Sequence, residues 1–505
     1  MDAPLSRASS LIPARFARKN AVVPVRFDDG TLYVEYDAAR GAAIVSELAL
    51  LLGCEVTGAP RSAEEIDRAL RRTYGVGADA VDHLDANESA GRDDEGERAR
   101  SGTVDRQTVD EGAEDASVVS IVNELLLRAE YENATDIHLE PLERRVRLRF
   151  RIDGMLVEIP VPEGLVRYQA AVVSRIKVMA NLDIAERRLP QDGRIKAVVD
   201  GIEHEYRVSI LPTQFGETVD IRVLTNTSIL TGLDGLGMWP DEQDFVHETL
   251  RAPYGVILVT GPTGSGKTTS LYSFLNLLND TRRKIITIED PIEYHLDGIT
   301  QVQVHPRIGL TFAAGLRSML RHDPDVMMVG EIRDQETAET VIRVALTGHL
   351  VFSTVHTNDA PSTPARLLDM GVEPYLLASS VRAILAQRLV RKVCPSCARE
   401  DTTEWTRDLA ASRFVDVVAS NGHGTTRFLV GAGCERCHQT GFSGRTAIFE
   451  ILPVTGRVQE LVLRHAPATE LRREAASHGR LSLRQRGLAL AARGVTSVAE
   501  VLRVT

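Results

Sequence analysis

A short apolar run, Gly255-Val-Ile-Leu-Val-Thr260, leads straight into Gly261-Pro262-Thr263-Gly264-Ser265-Gly266-Lys267-Thr268-Thr269. A helical pattern follows, with Leu271, Phe274, Leu275 and Leu278 on one face. No other stretch restricts the fold so strongly. The spacing G-x-x-x-x-G-K-[ST] turns backbone N–H groups inward around phosphate oxygens, between a buried strand and the positive end of a helix. The motif therefore predicts an α/β core and a nucleoside triphosphate site. Lys267 is the residue that reaches the β- and γ-phosphates, and the Thr268 hydroxyl is a ligand for Mg2+.

A phosphate loop alone says nothing of hydrolysis, which needs acidic partners. Residues 285–288 read as a strand ending in Glu289-Asp290-Pro291-Ile292-Glu293, and residues 326–329 as another ending in Gly330-Glu331-Ile332-Arg333-Asp334. Carboxylates at the carboxyl ends of parallel strands lie on the edge where the loop opens. There they hold Mg2+ through water or polarise an attacking water. A third run, residues 350–354, leads into Val355-His356-Thr357-Asn358-Asp359 and makes His356 a candidate sensor of the γ-phosphate. From Leu233 onward, β-rich runs alternate with amphipathic helices, the pattern of a parallel sheet with crossovers.

Cys394-Pro395-Ser396-Cys397 and Cys434-Glu435-Arg436-Cys437 form two C-x-x-C pairs with 36 residues between them. Four thiolates around one ion make a closed tetrahedral site of the structural Zn2+ type, with no open position for catalysis. Two copies in one chain favour metal over a redox pair. The interval exceeds the about 15–20 residues usual in a zinc ribbon. The sequence therefore predicts a small subdomain over residues 391–445. Cys54, the fifth cysteine, is expected to be a buried apolar thiol.

The chain has 505 residues and a formal net charge of −11, which by itself argues against general affinity for nucleic acid. The charge is uneven. Residues 82–115 hold twelve acidic and four basic side chains, a net −8, with only Leu84, Val104 and Val109 as large apolar residues. This reads as a flexible, self-repelling linker. The remaining 471 residues carry only −3, so the total excludes no basic patch on them. Ahead of the linker, residues 1–81 read as a small module. Short strands flank Asp28-Asp29-Gly30, a helix lies near residues 42–52, and another starts at Ser62. Beyond it, residues 118–130 are helical by period, and strands are expected at 146–152 and 204–210. No apolar run of about 18 residues and no secretory h-region occurs, which predicts a cytosolic chain.

The order GPTGSGKTT, TIEDPIEY, RHDPDVMMVGEIRD, TGHLVFSTVHTNDA resembles the secretion ATPases of type II secretion and type IV pili. In that family these are the Walker A, Asp box, Walker B and His box. Ala134-Thr135-Asp136-Ile137-His138-Leu139-Glu140-Pro141 is similar to the family's ASDIHxEP segment, with Thr135 in place of Ser. Arg188-Leu189-Pro190-Gln191-Asp192-Gly193-Arg194 is similar to its RxPQDGR turn, and residues 444–450, GRTAIFE, match as well. The start, Ile12-Pro13 to Phe16-Ala17-Arg18-Lys19, resembles the N1 domain of the general secretion pathway ATPases, the GspE branch.

The resemblance implies a RecA-like P-loop ATPase domain over residues 231–505, preceded by an α+β domain (N2, 116–230), the acidic linker (82–115) and an N-terminal α+β docking module (N1, 1–81). It implies ATP and Mg2+ at residues 261–269, with Glu331 as the Walker B acid. Glu289, Glu293 and Glu331 remain alternatives for activating water. His349 and His356 belong to the His box. Arg207 and Arg222 match arginines of the second domain that reach the γ-phosphate. The implied partners are five further copies in a homo-hexamer, the cytoplasmic domain of GspL through residues 1–81, and GspF. Membrane contact is then indirect, at the cytoplasmic face of the bacterial inner membrane. A type IV pilus assembly ATPase shares every catalytic box and stays open, as does a DNA-uptake or conjugation motor, although no basic, aromatic-interleaved stripe supports the last.

Overall fold

The computed structural model describes residues 8–9, 11–78, 80–81, 84, 107–199, 202–224, 232–410 and 427–505, the side chains of 107–115, 199, 202–203, 408 and 410 excepted. The chain divides into two compact units, Met1–Thr225 and Asn226–Thr505.

The first unit opens with a three-stranded sheet, β1 (Val22–Asp28), β2 (Thr31–Asp37) and β3 (Glu55–Arg61). β1 and β2 pair antiparallel across Asp29-Gly30, both at positive φ, the backbone of a primed two-residue turn. β3 returns parallel to β2 after the helix Ala43–Leu52. The helix Ala63–Tyr74 starts on a reciprocal capping box between Ser62 and Glu65, which fixes its first residue. Val22, Leu32, Val34, Leu48 and Ile66 close the small core. Cys54 is half-buried against it.

Six further strands follow: β4 (Ala134–Pro141), β5 (Val146–Ile152), β6 (Met155–Ile159), β7 (Gln191–Val199), β8 (Ile202–Thr213) and β9 (Gly216–Leu224). They form an antiparallel sheet in the order β6-β5-β4-β9-β8-β7. Alternation sorts the faces: Val146, Leu148 and Phe150 are buried, whereas Arg147, Arg149 and Arg151 point the other way. The helices Gln107–Tyr131 and Leu165–Met179 contribute Ile121, Val122, Leu125, Val172, Val173 and Ile176 to the same buried cluster.

Here the structure departs from the linker expected over 82–115. Residues 82–83 and 85–106 lie outside the described residues, but the helical backbone begins at Gln107, nine residues before the expected end. At the other end Val76, Ala80, Val81 and Leu84 belong to the hydrophobic cluster of β4–β9 and not to that of the first module. The module's tail is thus part of its neighbour's core.

The second unit is built on β10 (Gly255–Thr260), β11 (Ile285–Glu289), β12 (Thr300–Gln303), β13 (Val326–Val329), β14 (Leu350–Val355), β15 (Val381–Val393) and, after the short pair β16 (Ala398–Glu400) and β17 (Leu429–Gly431), β18 (Phe442–Pro453). The seven-stranded sheet runs β12-β11-β13-β14-β10-β15-β18 and is parallel except for β18. Both faces are covered, so β10, β11, β13 and β14 are buried along their whole length, as uninterrupted apolar runs require. The expected parallel sheet from Leu233 onward is present. Residues 225–231, just ahead of it, lie outside the described residues.

Candidate active site at the phosphate-loop edge

β10 occupies an interior position, and its carboxyl end delivers the chain into the loop 261–266. Three glycines make the turn. Gly261, Gly264 and Gly266 have φ of 151°, 76° and 87°, and Gly266 caps the helix Lys267–Leu278. Packing enforces two of them: a Cβ on Gly261 would stand 2.6 Å from the Gln387 carbonyl oxygen, and one on Gly266 2.8 Å from Gln387 Nε2. The Ser265 hydroxyl within the loop is buried and has no hydrogen-bond partner among the described residues, as expected of a group arranged for a ligand.

Lys267 folds back over the loop, donating from Nζ to the carbonyls of Gly261 at 2.8 Å and Pro262 at 3.0 Å. Burial lowers its pKa to about 8; the negative charge of Glu331 opposes that shift, and the Arg388 guanidinium adds to it. Gln387 and Arg388 come from β15. Gln387 is buried and accepts from Ser270 Oγ at 2.8 Å, tying β15 to the first turn of the loop's helix. Neither residue was singled out from the sequence. The available signal was a glutamine inside the apolar run of β15, because a buried amide in a strand must find partners.

β13 and β14 flank this edge. Glu331, two residues beyond β13, is largely buried, pairs with Arg333 Nη2 and lies 3.4 Å from His356 Nε2. Arg333 Nη1 is also 3.9 Å from Asp290 Oδ2 after β11. The structure therefore brings together Glu331, His356, Arg333 and Asp290 at the carboxyl ends of three strands.

Two expected site residues are placed elsewhere. Glu289, the last residue of β11, is buried, and both its carboxylate oxygens are engaged: Oε2 by the Tyr272 hydroxyl, Oε1 by Thr287 Oγ1 at 2.6 Å and Gln301 Nε2 at 3.2 Å. Burial raises its pKa, partly offset by these donors. Three donors therefore take three of the about four acceptor positions of this buried carboxylate. Glu293 is half-buried in the loop that follows. His349 precedes β14 while His356 follows it, and Leu350 pairs with Gly255 at the far end of β10. Seven residues of extended chain, roughly 23 Å at about 3.3 Å each, separate the two histidines. The His349 ring instead meets the Val344 carbonyl at 3.1 Å and Thr347 Oγ1 at 3.2 Å. The two histidines of the His box thus flank β14 at its two ends.

In the first unit, Arg207 and Arg222 face each other across β8 and β9, with Arg194 next to Arg207 across β7 and Asp136 next to Arg222 across β4. Arg222 Nε donates to Asp136 Oδ1 at 3.1 Å, and Arg194 pairs with Glu205 at 2.9 Å. Arg207 is exposed and makes no ion pair among the described residues. Three guanidinium groups side by side repel one another unless an anion lies across them.

The four cysteines converge at the mouth of the β15–β18 hairpin. Their sulfurs lie within 4.8 Å of one another, with Cys394–Cys434 and Cys397–Cys437 at 3.9 Å and Cys434–Cys437 at 3.7 Å. A tetrahedron with metal–sulfur bonds of about 2.3 Å has edges of about 3.8 Å, whereas a disulfide needs about 2.05 Å. Backbone N–H groups of Cys434 and Gly441 donate to Cys437 Sγ at 3.3 and 3.2 Å, the support a thiolate requires. The set fits a divalent metal ion. β16 and β17 pair between the knuckles, and residues 411–426 of the expected subdomain lie outside the described residues.

Residues 111–503 match the family of type II/IV secretion system proteins, and residues 2–80 match the MshEN domain. The chain belongs to the type II/IV secretion system protein family. It is an ATP-hydrolysing P-loop enzyme of that family. It is 42% identical to the type IV pilus assembly ATPase PilB of Myxococcus xanthus over 97% of this chain and 85% of that one. It is 49% identical to type II secretion system protein E of Pseudomonas aeruginosa over 78% of this chain and 77% of that one. Among solved structures, the ATPase DotB of Legionella pneumophila superposes with a TM-score of 0.55 at 22% identity, covering 76% of this chain and 94% of that one, which bears on the fold. Among the described residues of this secretion ATPase, no helix is long and apolar enough to cross a membrane.

Proposed function

We propose that this secretion ATPase powers protein export through a type II secretion system. The observation that carries the reading is the edge where the phosphate loop meets Glu331 and His356, within a chain 49% identical to a type II secretion protein E. The backbone of residues 261–269 and the Lys267 ammonium bind the phosphates of ATP, and Thr268 and Glu331 hold Mg2+, the latter through water. Mg2+ supplies neutralisation of the charge that develops on the phosphates. Glu293 orients the attacking water, since the Glu289 oxygens are engaged. His356 and Arg333 fix the Glu331 carboxylate from two sides. Arg207 and Arg222 offer cations to the γ-phosphate, a role worth about 10³–10⁵ in rate for an arginine finger. Zn2+ occupies the four-cysteine site.

In this reading the enzyme works as a homo-hexamer in the cytoplasm at the bacterial inner membrane, reached through the cytoplasmic domain of GspL and through GspF. A second reading, type IV pilus assembly, draws on the PilB relative, whose similarity runs over 97% of this chain and so includes its N-terminal module. Steady-state ATP turnover tests the site. Lys267→Ala, Glu293→Gln and Glu331→Gln should each fall at least a hundredfold below wild type, about 2.7 kcal/mol of lost transition-state stabilisation. Wild-type rates in the Glu331 variant would remove Glu331 from the mechanism. Capture of the full chain by the GspL cytoplasmic domain separates the two readings, and no capture at low salt favours the pilus.

A further inference from the structure

The turn after β14 is tied on two sides. Toward the phosphate loop, Thr357 Oγ1 lies 2.6 Å from Thr260 Oγ1, and the Thr357 N–H donates to that hydroxyl at 2.9 Å. Thr260 is the last residue of β10, at the root of the loop. Arg388 Nη2 donates to the Asn358 carbonyl at 2.8 Å, while its Nη1 stands 3.1 Å from where a Gly261 Cβ would be. The turn is therefore tied to the start of the loop, directly at Thr260 and through Arg388 beside Gly261. His356, immediately before it, contacts Glu331.

The other side of the turn meets a residue outside every nucleotide motif. Arg472, on the helix Ala468–Ser477, donates from Nη2 to Asp359 Oδ2 at 2.6 Å and places Nε 3.6 Å from Glu450 Oε1. Asp359 Oδ1 accepts from the Ser362 N–H at 2.8 Å, and Glu450 Oε2 accepts from the Ala360 N–H at 3.3 Å. Glu450, on β18, is only 4% exposed. Asp359 and Glu450 thus share one guanidinium on the outer side of the turn; burial and the Asp359 charge push the Glu450 carboxyl up to about 7, and Arg388 on the inner side also feels both acids.

We propose that Arg472 is a positioning residue for hydrolysis: by holding Asp359 and Glu450 together it fixes the turn at residues 357–362, and through it His356 against Glu331 and Asn358 against Arg388. The inference rests on Glu331 and His356 carrying the reaction. Without Arg472 the Asp359 carboxylate loses its ion-pair partner and the buried Glu450 carboxyl is driven toward its neutral form, so the tie that joins the turn to the helix Ala468–Ser477 and to β18 is lost and the turn is free to shift. A displacement of about 1 Å in a reacting constellation costs up to a hundredfold in rate. The phosphate loop itself is built by β10, β15 and the glycines, so nucleotide affinity stays.

The test uses the full chain and measures ATP turnover together with binding of a fluorescent ADP analogue. Arg472→Ala should lower kcat about tenfold to a hundredfold while KM and ADP affinity stay within about twofold. Arg472→Lys, which keeps the charge, should recover at least about a third of wild-type kcat. A kcat for Arg472→Ala within about twofold of wild type overturns the proposal. So does a loss of kcat matched by an equal loss of ADP affinity, with no recovery in the lysine variant. If Arg472→Ala does not fold, an Arg472→Lys enzyme with wild-type kcat and an inactive Arg472→Gln enzyme that binds ADP normally support it, and an active glutamine variant overturns it. Full activity in Glu331→Gln would instead sink the underlying reading, so the two failures are distinguishable.

Discussion

Lys267 shows how one side chain's surroundings set the conditions under which the site works. Its ammonium is drawn toward neutrality chiefly by burial and secondly by Arg388, with Glu331 pulling the other way, for a pKa of about 8. Above that pH the free enzyme increasingly presents an amine to an anionic ligand. Affinity for ADP should therefore weaken above about pH 8, approaching tenfold per pH unit. Glu331→Gln should move the break to lower pH, since it removes the charge that favours the ammonium. Titration of ADP binding from pH 7 to 9.5 checks this, and a flat profile would contradict it. The effect is not unfolding. Between pH 8 and the ordinary lysine range the unfolded chain binds more protons at this position, so the group makes the fold more stable as pH rises. The same scale explains what the sequence left open around the acids. Glu289 and Glu293 look equivalent in TIEDPIEY, and only the arrival of Tyr272 and Gln301 from other elements shows which carboxylate is already occupied.

The hairpin of β15 and β18 joins two sites that the sequence presents separately. β15 carries Gln387 and Arg388 against the phosphate loop and ends at Val393, immediately before Cys394. The Cys394 N–H donates to the Gly441 carbonyl at 3.0 Å, so a metal ion on the four thiols clamps both strands where the long connection leaves them. One equivalent of Zn2+ per chain is expected by elemental analysis. Stripping it with a strong chelator, or substituting Cys434→Ser, should lower the thermal midpoint by roughly 5–10 °C, at about 2–4 °C per kcal/mol. A metal-free protein with an unchanged midpoint would refute a structural ion. Elements with one consistent period were legible beforehand: β10, β11, β13 and β14 are continuous apolar runs because both faces of a parallel sheet are covered. β3 was not, since Gly58 and Pro60 interrupt it and only an edge position tolerates them. The separation of His349 from His356 was not legible either. A motif records proximity in sequence, and a strand between two motif residues sends them to opposite edges of the sheet.

For the whole molecule the largest difference from the sequence reading concerns how the N-terminal module is attached. An acidic connection of net −8 suggests a tether and an independently moving module. Within the first unit, however, Val76, Ala80, Val81 and Leu84 are buried in the core of the six-stranded domain. Polar contacts surround that insertion. Arg18 Nη2 reaches Glu124 Oε1 at 3.0 Å, the Gly77 N–H donates to Glu124 Oε2 at 3.0 Å, and Arg128 Nη1 donates to the Arg71 carbonyl at 2.9 Å. Gly75 passes so close to Pro160 that a Cβ would stand 2.4 Å from its carbonyl oxygen. Burying side chains such as Val81 and Leu84 is worth about 1.5–3 kcal/mol each, an upper estimate because the unfolded chain also buries some of that surface. The module and the domain bearing Arg207 and Arg222 should then hold together with the connection severed. The test inserts a site-specific protease sequence after Gly96 in the full chain and cleaves it. The two fragments should co-elute in gel filtration at about 0.15 M salt, where a Debye length of about 8 Å leaves only short-range contacts effective. Val81→Asp with Leu84→Asp should release the N-terminal fragment, since each buries an unpaired carboxylate. Separate elution of the unsubstituted fragments would restore the tether. Co-elution means that the N-terminal module and the arginine-bearing sheet form one body within the first unit.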